Sequence, residues 1–124
     1  METKRIALVG HCGADSTYLR IAVRKAAPEA DVFLIDDEQE LAQALKDGTD
    51  LLLLNRELSY GFDDIMGVDM IKRLRPLHPQ VKLMLVSNYA EAQADAIEAG
   101  ALPGFGKREL GTPRVVQAIR EALE

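Results

Sequence analysis

The sequence predicts an α/β domain in which a parallel five-stranded sheet lies between two layers of helices. Short apolar runs of strand length alternate with helix-like stretches five times along the 124 residues. The third run, DLLLLN at 50–55, has four consecutive leucines, which is typical of a strand covered on both faces. Strict alternation implies right-handed crossovers and a doubly wound sheet, most commonly of order 2-1-3-4-5. Ligands of such sheets bind beyond the carboxyl ends of strands one and three.

Capping and stop residues predict the helices of the first half of the chain. Asp15 or Ser16 can cap a first helix that runs to about Ala27. Asp36 and Asp37 can cap and charge the start of a helix over 38–47, which Gly48 ends. The inward face predicted for the first helix is Tyr18, Leu19, Ala22 and Val23. The strands predicted before and between these helices are 4–9, 31–35 and 50–55.

The second half repeats the alternation after a long loop over 56–66. Apolar residues at helical spacing predict a third helix that Pro76 closes. Thr112 and Pro113 supply the cap and the first-turn proline of the last helix. The remaining predicted elements are strands at 81–86 and around 103–106, a helix at 90–99 and the last helix to Leu123.

Composition favours a single globular domain over 1–124. Apolar residues make up 48% of the chain and charges of both signs are mixed. The net charge of -5 and the lack of a basic patch argue against nucleic-acid binding. No apolar run approaches the roughly 18 residues of a membrane span, and no signal-peptide stretch opens the chain. The single Cys12 fits a reducing compartment, so we expect a cytoplasmic protein.

Four motifs together resemble the receiver domain of the response regulators of bacterial two-component systems, a CheY-like, flavodoxin-like fold. They are DLLLLN at 50–55, LVS ending at Ser87, AGA at 99–101 and KREL at 107–110. The resemblance covers nearly the whole chain. It implies a role in phosphorelay signal transduction.

In the family, an aspartate that ends the third strand accepts a phosphoryl group, with Mg²⁺ held by an acidic pair after strand one. By resemblance Ser87 and Lys107 match the hydroxyl residue and the lysine that bind the phosphoryl oxygens. Asn55, however, occupies the acceptor position, and its amide lacks the nucleophilic carboxylate. Gly10 and His11 stand where the acidic pair belongs and offer no hard oxygen ligands. We therefore expect a pseudo-receiver with no phosphoryl transfer, no enzymatic activity, no cofactor and lost or very weak Mg²⁺ binding.

Three residues of this region keep alternative interpretations. Lys107 either holds its charge in water or donates to the Asn55 side-chain oxygen. His11 could bind a metal or sense pH, but a loop histidine that makes a local hydrogen bond is favoured. Cys12 precedes a helix amino terminus, which favours a thiolate, yet a structural or incidental cysteine is the preferred interpretation.

The expected output is contact with a protein partner, because we expect no further domain after the last helix. By resemblance, the candidate partner face is that of helix four, strand five and helix five, including Tyr89 and Phe105. The alignment of the fifth strand with the family remains open at the position of the family's switching aromatic. Counting residues from Gly100 puts Gly104 at that position, whereas aligning the Gly-Phe pair puts Phe105 there. The sequence names neither the partner nor the oligomeric state. It also does not distinguish a natural Asn55 from an introduced Asp→Asn change.

A different class of protein also contains a comparable motif. Residues 12–17, CGADST after a first strand, resemble the phosphocysteine loop of sugar-phosphotransferase B subunits, in which the cysteine takes a phosphoryl group. Only one glycine follows Cys12, and Asp15 would repel the phosphate. This interpretation is therefore the alternative.

Overall fold

The computed structural model describes residues 3–58 and 60–124, and strands and helices alternate along them. The strands are β1 (Arg5–Val9), β2 (Asp31–Ile35), β3 (Leu51–Asn55), β4 (Lys82–Val86) and β5 (Leu102–Phe105). The helices are α1 (Gly13–Ala26), α2 (Glu38–Asp47), α3 (Gly67–Leu77), α4 (Ala90–Glu98) and α5 (Pro113–Ala122), with a 3₁₀ turn at Lys107–Glu109. Within the described residues, no helix combines the length and the apolarity that crossing a bilayer requires.

The sheet has the predicted topology. All five strands are parallel in the order β2-β1-β3-β4-β5. Val9 pairs with Leu54, and Asn55 pairs with Val86. The loops that follow β1, β3 and β4 therefore leave the sheet at one edge, which is where a doubly wound sheet binds ligands.

The four leucines of β3 supply both hydrophobic cores. Successive strand side chains point to opposite faces. Leu52 and Leu54 accordingly pack in the layer that contains α2, α3 and α4, whereas Leu51 and Leu53 pack in the layer of α1 and α5. All four are 0% exposed. The prediction that DLLLLN is a strand covered on both faces is confirmed.

Helix α1 begins before the predicted caps. Its N-cap is Cys12, whose sulfur accepts the Asp15 N–H at 3.5 Å, so neither Asp15 nor Ser16 is the cap. Tyr18 was expected on the inward face but is 62% exposed. Successive helix residues are about 100° apart, and the buried stripe passes through Leu19 instead.

The other helix signals need little revision. Asp37 caps α2 as predicted, since its Oδ1 accepts the Glu40 N–H at 2.7 Å. Pro76 does not close α3, because it lies in the last turn and the His78 N–H still bonds to the Leu74 carbonyl at 2.8 Å.

The pairing of β5 with β4 shows the surroundings of Gly104 and Phe105, the two candidates for the family's switching position. Phe105 pairs with Val86, is 1% exposed and packs in the layer of α1 and α5. Gly104 lies on the opposite side, where its N–H bonds to Gln93 of α4, and a Cβ placed on it would collide with the Leu85 carbonyl oxygen. The prediction that Phe105 forms part of a partner face is therefore wrong, because its ring is in the core.

Candidate functional site

The carboxyl edge of the sheet carries a shallow cavity of about 260 Å³. The cavity is lined by residues at the carboxyl ends of three neighbouring strands. Asn55 ends β3, Ser87 follows β4 and Lys107 follows β5. Gly10, which follows β1, accepts a hydrogen bond from Asn55. The structure thus brings together the residues that the resemblance selected.

Asn55 serves as a hydrogen-bond donor. Its Nδ2 donates to the Gly10 carbonyl at 3.2 Å and to the Glu57 carbonyl at 2.9 Å. Both partners are main-chain oxygens, which can only accept. A carboxylate at this position would face two oxygens and could donate to neither. Asn55 therefore ties the end of β3 to the loop after β1 and to its own following loop.

Lys107 takes neither of the two predicted roles. Its Nζ lies 2.6 Å from Asp15 Oδ2, and both side chains are about one-third exposed. The hydrogen bond from Lys107 is the largest cause that lowers the pKa of Asp15. The early start of α1 puts Asp15 in the first turn, within reach of the connection after β5. The lysine charge is therefore paired with Asp15, and no hydrogen bond joins Lys107 to Asn55 among the described residues.

His11 is buried and held by the neighbouring strand. It is 8% exposed, and its Nε2 lies 2.8 Å from the Leu53 carbonyl, which requires the proton on Nε2. Desolvation by burial lowers the pKa of His11 from 6.5 to about 4. The prediction of a local hydrogen bond is wrong, because the partner of His11 is Leu53 on β3. Its Nδ1 has no hydrogen-bond partner among the described residues.

The loop after β3 covers the position where the family has its acidic pair, a feature that the sequence did not predict. Gly10 has a φ of 74°, and a Cβ placed on it would lie 2.8 Å from the Leu58 side chain and 3.7 Å from the Phe62 ring. The Leu58 N–H bonds to the Ile65 carbonyl at 2.8 Å, which folds the loop back on itself. The loop also contains Tyr60, Ile65 and Met66, so its composition did not single out Leu58 and Phe62 as the residues that cover Gly10.

An arginine of α3 fastens this loop to the start of α2. Arg73 bonds to Asp64 Oδ2 through Nε at 2.8 Å and to Glu38 Oε1 through Nη2 at 2.8 Å. Glu38 also accepts the Asp63 N–H at 3.1 Å, and its own N–H donates to the Gly61 carbonyl at 2.8 Å. The carboxylates of Asp64 and Glu38 thus hold the loop against α2 and α3.

Ser87 and Tyr89 form the outer wall of the cavity. The Ser87 hydroxyl oxygen accepts the Tyr89 N–H at 3.1 Å, and Ser87 is buried. The Tyr89 ring is 62% exposed and lies 4.7 Å from the Arg56 guanidinium carbon. Of the two aromatics predicted for the partner face, only Tyr89 reaches the surface.

Comparison with solved structures relates this architecture to known proteins. A putative response regulator from Chloroflexus aurantiacus matches with a TM-score of 0.80 at 21% identity, covering 98% of each chain. A response regulator from Thermotoga maritima matches with a TM-score of 0.73 at 19% identity, again covering 98% of each chain. The fold is that of a response-regulator receiver domain. The beryllofluoride-activated receiver domain dimer of NtrC4 matches with a TM-score of 0.78 at 16% identity, covering 98% of this chain and 97% of that one.

Sequence comparison adds nothing to this assignment. No protein-family model matches the chain, and no curated protein matches it. The receiver fold accounts for the position of the site at the carboxyl edge of β3. The comparisons give no support to the sugar-phosphotransferase alternative.

Proposed function

We propose that this chain is a pseudo-receiver, which acts in two-component signalling by contacting a protein partner without being phosphorylated. The observation that carries the proposal is the use of Asn55. The Asn55 side-chain amide donates its hydrogen bonds to the Gly10 and Glu57 carbonyls. The position that accepts the phosphoryl group in the resembling family has thereby become a structural hydrogen-bond donor.

The residues around Asn55 support the same conclusion. Lys107 is paired with Asp15, and among the described residues it makes no hydrogen bond to Asn55. Leu58 covers Gly10, and the His11 imidazole bonds to a main-chain carbonyl. Mg²⁺ prefers several hard oxygen ligands in near-octahedral geometry. Gly10 has no side chain and the His11 imidazole bonds to the Leu53 carbonyl, so these two positions supply no carboxylate oxygen and do not fit magnesium.

The proposal is tested by incubating the protein with acetyl phosphate and Mg²⁺. We expect no mass gain, no hydroxylamine-labile adduct and no Mg²⁺-dependent spectral change. A receiver domain that retains its aspartate is the positive control for the phosphodonor. A hydroxylamine-labile adduct on any carboxylate of this chain would overturn the proposal.

The phosphocysteine alternative has a separate readout. Cys12 is exposed and its sulfur accepts the Asp15 N–H, which places a carboxylate-bearing residue next to the thiol. Negative charge there opposes an incoming phosphoryl group. We expect Cys12→Ser to retain all partner binding. Phosphotransfer to Cys12 from a carrier protein, lost in Cys12→Ser, would establish the alternative instead.

A further inference from the structure

A groove between α3 and α4 adjoins the cavity at Asn55, with which it shares Arg56 and Tyr89. Its volume is about 410 Å³. Met66, Val68 and Ala92 provide an apolar floor, and each is partly buried. Val68 and Ala92 also pack against the hydrophobic core of this layer. The floor of the groove is thus continuous with this core.

The rim of this groove carries an excess of negative charge. Asp69, Glu91 and Asp95 are exposed, and none of them forms a salt bridge with another described residue. Lys72 on the same rim offsets one of the three carboxylates. Arg56, the other rim cation, is paired with Glu57 at 2.9 Å and so offsets none. Two negative charges therefore remain uncompensated beside an apolar floor.

The arrangement on α4 costs the helix stability. Glu91 and Asp95 are four residues apart and project from one helical face. Like charges at this spacing destabilise a helix by about 0.2–0.5 kcal/mol. A bound cation would turn this repulsion into attraction.

An aromatic anchor closes one end of the groove. The Tyr89 ring stacks against the Arg56 guanidinium at 4.7 Å, which restrains an otherwise exposed side chain. Restrained, exposed tyrosines are among the residues that dominate binding energy at interfaces.

We infer that this groove binds a basic segment of a partner protein. Two cationic side chains of that segment, about one helical turn or 6 Å apart, pair with Glu91 and Asp95. An apolar side chain between them lies on Val68 and Ala92, and Tyr89 covers it. The negative rim repels nucleic acid and anionic lipid, so a peptide that is both basic and apolar fits best. The inference rests on the proposed function and specifies the partner that it requires.

The test uses an alanine-based helical peptide of about 15 residues, with one leucine and two lysines four residues apart on one face. The same peptide with glutamates in place of the lysines is the ligand control. Titration into ¹⁵N-labelled protein should give saturable shifts at Val68, Ala92 and Asp95, and salt should weaken the binding. The glutamate peptide should give none.

Charge reversal locates the binding on the protein. The double variant Glu91→Lys, Asp95→Lys should weaken binding by at least about tenfold, which is 1.4 kcal/mol. The charge-matched control Glu29→Lys, Glu124→Lys changes two exposed glutamates elsewhere and should stay within about twofold. Tyr89→Ala, which leaves the charge unchanged, should weaken binding by about threefold or more.

Three results would overturn the inference. They are absence of saturable binding, shifts that map outside the groove, and equal binding by the charge-reversed variant. Concentration-dependent dimerisation that the charge reversal abolishes would assign the groove to a second copy of this chain instead. If a phosphoryl adduct forms while the peptide still binds, the pseudo-receiver proposal alone is refuted. If no adduct forms and the peptide does not bind, only the inference that the groove binds a basic segment is refuted.

Discussion

Asn55 and Asn88 carry the same side-chain amide for opposite purposes. Asn55 donates through Nδ2 to two main-chain carbonyls. Asn88 accepts the Arg108 N–H at its Oδ1, at 3.0 Å. The single change of amide to carboxylate therefore removes donors at one site and keeps the acceptor at the other.

We predict that Asn55→Asp lowers the free energy of unfolding by about 1–3 kcal/mol, because a partly buried carboxylate would face two carbonyl oxygens. Asn88→Asp should change it by less than about 0.5 kcal/mol. Urea denaturation of both variants at pH 7 measures the difference. Equal stability of the two variants would show that the Asn55 donors are not needed.

His11 makes stability depend on pH. Its folded-state pKa of about 4 lies below the ordinary value of 6.5, so the unfolded chain binds the proton more readily between these values. The corresponding stability is fully present above pH 6.5 and is lost as pH falls towards 4. We expect the loss attributable to His11 to be about 2–3 kcal/mol. Urea denaturation of the wild type and of His11→Gln from pH 7 to pH 4 isolates the contribution of His11, because the carboxylates titrate in both proteins. A difference in unfolding free energy that stays constant over this pH range would contradict the prediction.

At the scale of elements, the loop after β3 is a small structure in its own right. It folds back through the Leu58 to Ile65 bond, covers Gly10 with Leu58 and is fastened at Glu38 by Arg73. Its contacts with β1 and α2 join segments that are distant in sequence. Residue patterns within the loop predict none of them.

We predict that Arg73→Ala loosens this loop more than it destabilises the domain. The guanidinium and its two carboxylates are partly exposed, so the loss in unfolding free energy should be about 1 kcal/mol. Hydrogen exchange at the Leu58 and Asp63 amides should accelerate in Arg73→Ala. Lys72→Ala, a neighbouring change at a residue that has no salt bridge among the described residues, is the control and should leave both amides unchanged. Unchanged protection in Arg73→Ala would show that Leu58 and Phe62 hold the loop without the arginine.

At the scale of the whole molecule, the sheet separates two cores and decides which aromatics reach the surface. Phe105 is in the core of α1 and α5, while Tyr89 lies outside both. We predict that Phe105→Ala lowers the free energy of unfolding by about 3–5 kcal/mol. Tyr89→Ala should change it by no more than about 0.5 kcal/mol. Thermal or urea denaturation tests both, and a small effect of Phe105→Ala would contradict the register of β5.

The residue pattern alone predicted five alternating strands and helices, the common strand order and the meeting of Gly10 with Asn55 at the carboxyl edge, whereas the family resemblance placed Ser87 and Lys107 there. Those features follow from apolar periodicity, caps and right-handed crossovers, which act locally or hold for every doubly wound sheet.

Only the tertiary structure decided what these residues contact. Asn55 reaches Gly10 across 45 positions and Lys107 reaches Asp15 across 92. The partner of a side chain at that separation depends on how the loops and helix ends pack, which local preferences do not encode. For the same reason the burial of Phe105 and the closure of the loop over Gly10 became evident only in the folded chain.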